Sequence, residues 1–170
     1  MAVKRVEIKE AYKSELKQHF GADERRIQHA LKVLKTAETI MDGENIQGSI
    51  RDVVTITALL HDVGIKTAEQ KYQSAAGTYQ EIEGPPLARR MMERRGAEPA
   101  VTDRVCYIIG GHHTASKNDG LDFQIIWEAD LFVNIEEESL AQNQQALAAM
   151  IEKNFKTVTG KNLAKRTFLQ

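Results

Sequence analysis

The stretch Val53-Val54-Thr55-Ile56-Thr57-Ala58-Leu59-Leu60-His61-Asp62-Val63-Gly64 decides the fold. It is apolar almost all round as far as Leu60, which predicts a central helix buried on every side. His61 and Asp62 follow as neighbours, and Gly64 comes two residues later. Successive side chains on a helix diverge by about 100°, so His61 and Asp62 can share one ion only where the helix ends and the backbone bends. Gly64 supplies that end. A neutral imidazole nitrogen with a carboxylate oxygen suits zinc, iron, manganese, nickel or cobalt. Two ligands leave a site incomplete, so distant parts of the chain must contribute the others.

Upstream, Ser49 with Asp52 has the form of a capping box that opens this helix. Before it, Ile27, Leu31, Leu34, Ala37 and Met41 recur at helical spacing after a capping Asp23, and Gly43 follows as a stop. His29 lies off the centre of that stripe, near Val33 and Ile40; alone it reads as a core or boundary histidine, and only partners give it chemical meaning. The first helix spans about Val3 to Phe20 on the spacing of Val6, Ala11, Tyr12, Leu16 and Phe20, with Gly21 after it. His19 at its end reads as a surface or capping residue.

Downstream, Lys66 to Tyr72 predicts a turn or two of helix, and Gln73 to Gly84 a polar loop. Pro85 and Pro86 then suit the first turn of a helix from Leu87 to Arg95, which Gly96 ends. Pro99 opens the next, with Val101, Val105, Ile108 and Ile109 inward, and Gly110-Gly111 breaks it just before His112-His113. A buried helix again ends on adjacent metal-competent side chains. After the Asp119-Gly120 turn, Asp122 caps a strongly apolar helix from which Asp130 projects on a face that should be buried, where an ionised carboxylate needs a cation or backbone amides. Glu136-Glu137-Glu138 reads as a solvated helix end. Leu140, Leu147, Met150, Ile151 and Phe155 predict a closing amphipathic helix, and Thr159 to Phe168 a short last one.

Strand signals are almost absent, which predicts an all-α, single-domain bundle of about six to eight helices over residues 1–170. Its motif-bearing core is expected over about 23–135, with helices of 136–170 packed on it. The 23 basic and 24 acidic residues give a formal charge of −1, which offers no broad attraction for nucleic acid or an anionic membrane. Cys106 is the single cysteine, so an internal disulfide and a thiolate cluster are both excluded. No run is long enough to span a membrane, and Met1 to Glu10 lacks the apolar core of a signal peptide, so a cytoplasmic protein is expected.

His29, the His61-Asp62 doublet, the His112-His113 pair and Asp130 occur in an order that resembles the HD-domain superfamily of metal-dependent phosphohydrolases, over roughly Arg25 to Asn134. The resemblance implies an all-helical domain in which His29, His61, Asp62 and Asp130 hold a divalent transition metal. It further implies hydrolysis of a phosphate ester or anhydride, with a nucleotide or related small phosphorylated molecule as substrate, by attack of metal-activated water on phosphorus. Asp62 is the ligand best placed to contact that water. Lys66 could bind phosphate as a point charge and Glu69 could accept the water's proton; Arg25, Arg26, Arg89 and Arg90 are further phosphate candidates.

Two-metal members of the family usually carry another histidine before a proline in the next helix, where this chain reads Glu83-Gly84-Pro85-Pro86; members with the doublet followed by Gly-Lys set the lysine directly after the glycine, where here Ile65 intervenes before Lys66. One metal is therefore favoured over two. His112 and His113 are then expected to orient substrate or share protons, with Glu81 or Glu83 as alternative oxygen ligands for a second ion. Two further readings stay open: a helical module that senses a nucleotide through its metal without turnover, and a di-iron oxygenase on the same scaffold. Tyr72, Tyr79 and Trp127 are the aromatic residues available for stacking, with Trp127 expected in the core.

Overall fold

The computed structural model describes residues 2–138 and 143–169, with side chains described from residue 6 onward. Among them are nine α-helices, one or more beyond the number expected, and no strand. They run α1 (Ala2–Phe20), α2 (Glu24–Gly43), α3 (Gly48–Leu60), α4 (Ile65–Tyr72), α5 (Gly77–Arg94), α6 (Pro99–Ile109), α7 (Leu121–Glu137), α8 (Gln144–Asn154) and α9 (Val158–Phe168), with a 3-10 turn at Ala115–Lys117. None of these helices is long and apolar enough to cross a membrane.

The residues from Val53 to Leu60 are all buried, and α3 is accordingly the central element, touching α1, α2, α6 and α7. α2 lies along α7 and α3 and closes one side. Its start follows the expected cap, since Asp23 Oδ1 accepts from the Arg26 amide at 3.3 Å. α3 begins differently. Gly48 is already helical behind Gln47, so Ser49 and Asp52 lie inside the first turns and form no capping box.

The larger correction concerns residues 73–86. The expected polar loop is helical from Gly77, and Pro85 and Pro86 sit inside α5 instead of opening a helix of their own. Proline in a helix interior removes backbone hydrogen bonds, yet tertiary contacts on both sides hold the segment helical. Glu83 receives hydrogen bonds from Lys71 Nζ at 2.8 Å and the Tyr72 hydroxyl at 2.9 Å. Gln80 is buried and donates to the Ala75 carbonyl at 2.7 Å.

Gly64 also acts in a way its sequence position does not reveal. Its φ of −72° is ordinary right-handed backbone, so glycine is not required there for conformational freedom. A Cβ at Gly64 would stand 2.6 Å from both the Gln80 carbonyl oxygen and the Gly84 amide nitrogen. The turn after α3 and the middle of α5 touch backbone to backbone, and this contact brings α5 against the end of the central helix.

α8 and α9 form a smaller apolar cluster, in which Leu147, Ile151, Phe155 and Ala164 pack with Ile135 of α7. Leu140, expected to begin this part, lies outside the described residues. Glu128 of α7 pins the pair in place. Fully buried, its carboxylate accepts from the amides of Lys156 and Thr157 at 2.6 and 2.8 Å, from the Thr157 hydroxyl at 2.5 Å and from Gln124 Nε2 at 2.7 Å. An anion at the N-terminus of α9 is thereby satisfied without a cation. Asp122 is not the N-cap: α7 starts behind Gly120, and Asp122, inside the first turn, accepts from the Phe123 amide at 2.8 Å and takes two hydrogen bonds from Arg104 at 2.6 and 2.7 Å.

Replacing Gly64 by Ala is expected to force α4 and α5 apart, at a cost of about 1–3 kcal/mol and a Tm lowered by roughly 3–10 °C. Thermal denaturation followed by circular dichroism measures it, and an unchanged Tm would show that the close backbone contact carries no constraint.

Candidate metal centre

Four elements deliver the candidate ligands to one place: α2 carries His29, the end of α3 carries His61 and Asp62, the end of α6 carries His112 and His113, and α7 carries Asp130. His29 Nε2 lies 3.1 Å from Asp130 Oδ1, and His61 Nε2 lies 3.6 Å from the same oxygen. Asp62 faces two ways. Its Oδ2 stands 3.5 Å from His61 Nε2 and 3.7 Å from His29 Nε2, while its Oδ1 stands 3.6 Å from His112 Nε2. The potential ligand atoms of His29, His61 and Asp130 lie within 4.8 Å of one another, as do those of Asp62, His112 and His113. Neighbouring ligands around an ion bonded at about 2.1 Å stand about 3 Å apart, so modest inward movement of these side chains would complete either group.

The histidines are prepared chemically as well as spatially. His61 is fully buried, and its Nδ1 lies 2.9 Å from the Ala58 carbonyl three residues back. His112 repeats the device, with Nδ1 2.7 Å from the Ile109 carbonyl. A carbonyl only accepts, so each Nδ1 carries a proton, and Nε2 is the atom each ring has to offer a metal. Both Nε2 atoms are buried without a hydrogen-bond partner. Two desolvated lone pairs aimed at carboxylates are costly unless a cation or a proton joins them.

His29 is oriented by a residue that sequence reasoning missed. Its Nδ1 lies 3.0 Å from Glu137 Oε2, and Glu137 also receives Lys32 Nζ at 3.0 Å. The acidic run at residues 136–138 is therefore more than a solvated helix end. One member of it fixes an imidazole, the usual arrangement behind a metal-bound histidine. The available signal is the spacing from Asp130: seven residues later is two helical turns on, the same face of α7.

Charge is concentrated here. Burial alone would lower the His61 pKa, but Asp62 and Asp130 outweigh it and push it up to about 9. Burial opposes the charge of Asp130 too, yet the imidazoles of His29 and His61 hold its carboxyl well below the usual range. His113 reaches solvent at one edge, while desolvation of its ring, with His112 beside it, lowers its pKa to about 4 and keeps it neutral.

The remaining candidates are engaged elsewhere. Lys66 Nζ donates to the His19 carbonyl at 3.1 Å, and Glu69 accepts from Arg26 at 2.5 Å. Neither has a hydrogen bond or ion pair with the central cluster. Glu81 accepts from the His113 amide at 3.0 Å and the Thr114 hydroxyl at 2.9 Å, holding the loop that carries the histidine pair. Glu83 is bound by Lys71 and Tyr72. Neither glutamate belongs to a ligand group, and the imidazoles of His112 and His113 occupy the position expected of a substituted ligand. Arg89 pairs with Asp103. His19, expected at the surface, places Nε2 2.8 Å from the Val63 carbonyl and ties α1 to the turn below the doublet.

The family model for the HD domain matches residues 26–154, most of the chain and every residue of the cluster. The chain belongs to the HD domain family. No curated protein and no solved structure matches it. Membership places this HD domain among proteins that are in general metal-dependent hydrolases, and the donor set of three buried or near-buried imidazoles and two carboxylates fits a divalent transition metal.

Two outcomes test this reading of the centre. Glu137→Gln is expected to weaken metal binding about 10–100-fold while leaving the helices intact, measured by competition with a chromogenic chelator. In the metal-free protein the raised His61 pKa has a defined sign. Its proton stabilises the fold fully below the free imidazole value of about 6.5, and that contribution is lost as pH rises through about 9. The Tm of chelator-treated protein should therefore fall across that window; a flat profile would show that His61 is not held protonated by its carboxylates.

Proposed function

We propose that this HD domain is a metal-dependent phosphohydrolase acting on a small phosphorylated molecule of the nucleotide class. The observation that supports it most is the convergence of the buried Nε2 atoms of His61 and His112, neither with a hydrogen-bond partner, on opposite oxygens of Asp62. His29, His61, Asp62 and Asp130 would hold one ion. Asp62, His112 and His113 would hold a second ion, so two ions are proposed in place of the one expected.

A divalent ion held there would neutralise phosphate oxygens and acidify water at neutral pH. The residues do the rest. Asp62, turned toward both histidine groups, accepts a hydrogen bond from the attacking water and aims it. His61 and His112, with Nδ1 locked on backbone carbonyls, cannot rotate away, so the group is preorganised before substrate arrives. His113, neutral and at the rim, would join Asp62 and His112 in holding the second ion without bringing a charge of its own.

A second reading, a sensor that binds its ligand without turnover, draws support from Lys66 and Glu69, whose engagement elsewhere takes away the phosphate-binding ammonium and the carboxylate base expected of them. One experiment separates the two. Gently purified protein is analysed for metal, then screened for phosphate release over phosphomonoesters and nucleotides with that metal restored. Hydrolysis lost by at least about 100-fold in His61→Ala and Asp62→Ala, with bound metal lost and helical content kept, is the expected result. Ligand-dependent Tm shifts with no phosphate release would favour the sensor, and dioxygen consumption with two irons per chain would select the oxygenase.

A further inference from the structure

A cavity of about 310 Å³ opens directly beside the cluster, with Asp130, His112 and His113 on one side and Trp127, Leu131, Asn134, Met150 and Asn154 forming the rest. Two of these residues belong to α8, so the C-terminal helix pair pinned by Glu128 supplies one wall. The volume is at the small end for a ligand pocket, about 300–1,000 Å³. Its chemistry is uneven in an informative way. Trp127 Nε1 donates to Asn154 Oδ1 at 3.3 Å, and Asn154 Nδ2 donates to the Met150 carbonyl at 2.9 Å. The indole is thus held by its polar edge and offers carbon to the cavity, beside the carbon of Leu131 and the polarisable thioether of Met150. Asn134 makes no side-chain hydrogen bond among the described residues, so its amide has both a donor and an acceptor to give. No lysine or arginine is among the described residues that line the space.

We propose that this cavity is the subsite for the uncharged, flat, ring-bearing part of a phosphate monoester, with a nucleoside monophosphate as the fitting class, and that it discriminates against polyphosphate tails. The proposal rests on the phosphohydrolase reading for the position of the phosphoryl group, which must sit at the cluster. One phosphate is met there. Each further phosphate of a di- or triphosphate would enter a space walled by Trp127, Leu131 and Met150, losing water with no cationic side chain to replace it. A ring system loses nothing on the same surface, gains contact with the indole and the thioether, and finds a donor and an acceptor for its edge in Asn134. The Met150 side of the wall sets the depth available, and Trp127 holds one face.

Trp127 is the only tryptophan in the chain, so its fluorescence reports on this cavity without requiring turnover. The full chain with its metal bound is titrated with purine and pyrimidine nucleoside monophosphates, the matching triphosphates and glycerol phosphate, with inner-filter correction and the fluorescence read before appreciable turnover; the same protein is assayed for phosphate release on the same panel. At least one nucleoside monophosphate should change the fluorescence saturably. Its triphosphate should bind about ten-fold more weakly or worse, and glycerol phosphate should leave the signal unchanged. Met150→Ala should raise KM for the preferred monophosphate about ten-fold, with kcat, metal content and the rate on glycerol phosphate near wild type. Asn134→Ala serves as the second variant, expected to lower affinity without altering metal content. Phosphate release at equal efficiency from glycerol phosphate and nucleotides with a silent Trp127 would overturn the subsite and leave the hydrolase standing. A saturable Trp127 response with no phosphate release from any compound would do the reverse. Triphosphates bound as tightly as monophosphates, or silence in both assays, would also overturn the subsite.

Discussion

The carboxylate of Asp62, held between imidazoles on both of its oxygens, is the constraint on which the rest of this structure depends. Asp62 and Asp130 are largely withdrawn from water beside three histidines. Such a group is stable only when positive charge balances it, as protons on the imidazoles in the metal-free state or as a cation between them. The depressed pKa of Asp130 and the raised pKa of His61 express the first balance. The orphaned Nε2 atoms of His61 and His112 are what the second would use.

A single local device is used twice to build this centre. α3 and α6 are buried helices that end on a histidine whose Nδ1 returns to the carbonyl three residues before it. That bond needs no loop residues and sets ring direction and tautomer together. Placing the two helix ends side by side is the work of α5, which passes the turn after α3 at backbone contact through Gly64 and Gly84, then holds the loop after α6 through Glu81. The long α2–α7 contact contributes the other half, with His29 seated between Asp130 and Glu137 of the same helix face.

The C-terminal helices give the centre its surroundings. Glu128 is a buried carboxylate with no cation, made acceptable by backbone amides at the start of α9. Through it α8 is held against α7, and the space beside the cluster becomes a walled cavity lined largely by carbon. The cluster and the cavity therefore divide their tasks: one is rich in charge, and the other is without cationic side chains among its described lining residues.

How much of this was legible in the sequence follows from the range of the interactions involved. The buried central helix and the all-helical class were readable, because apolar periodicity and carboxylates on buried faces are properties of short segments, whereas the grouping of His29, His61, Asp62 and Asp130 came from the order of these residues and its resemblance to the HD-domain pattern. The helical state of residues 77–86 was not, since local propensity, with two prolines and few apolar residues, points to a loop and is overruled by the contacts of Gln80, Glu83 and Gly84. Nor were the roles of Glu137, Lys66 and Glu69, because a charged residue at a helix surface carries no mark of its partner until two helices are laid together. The sequence by itself determined which side chains must be removed from water and must therefore find one another. Only the tertiary structure decided which imidazole nitrogens face the carboxylates, which charges are already engaged and what encloses the space beside them, because each depends on contacts between segments that lie far apart along the chain.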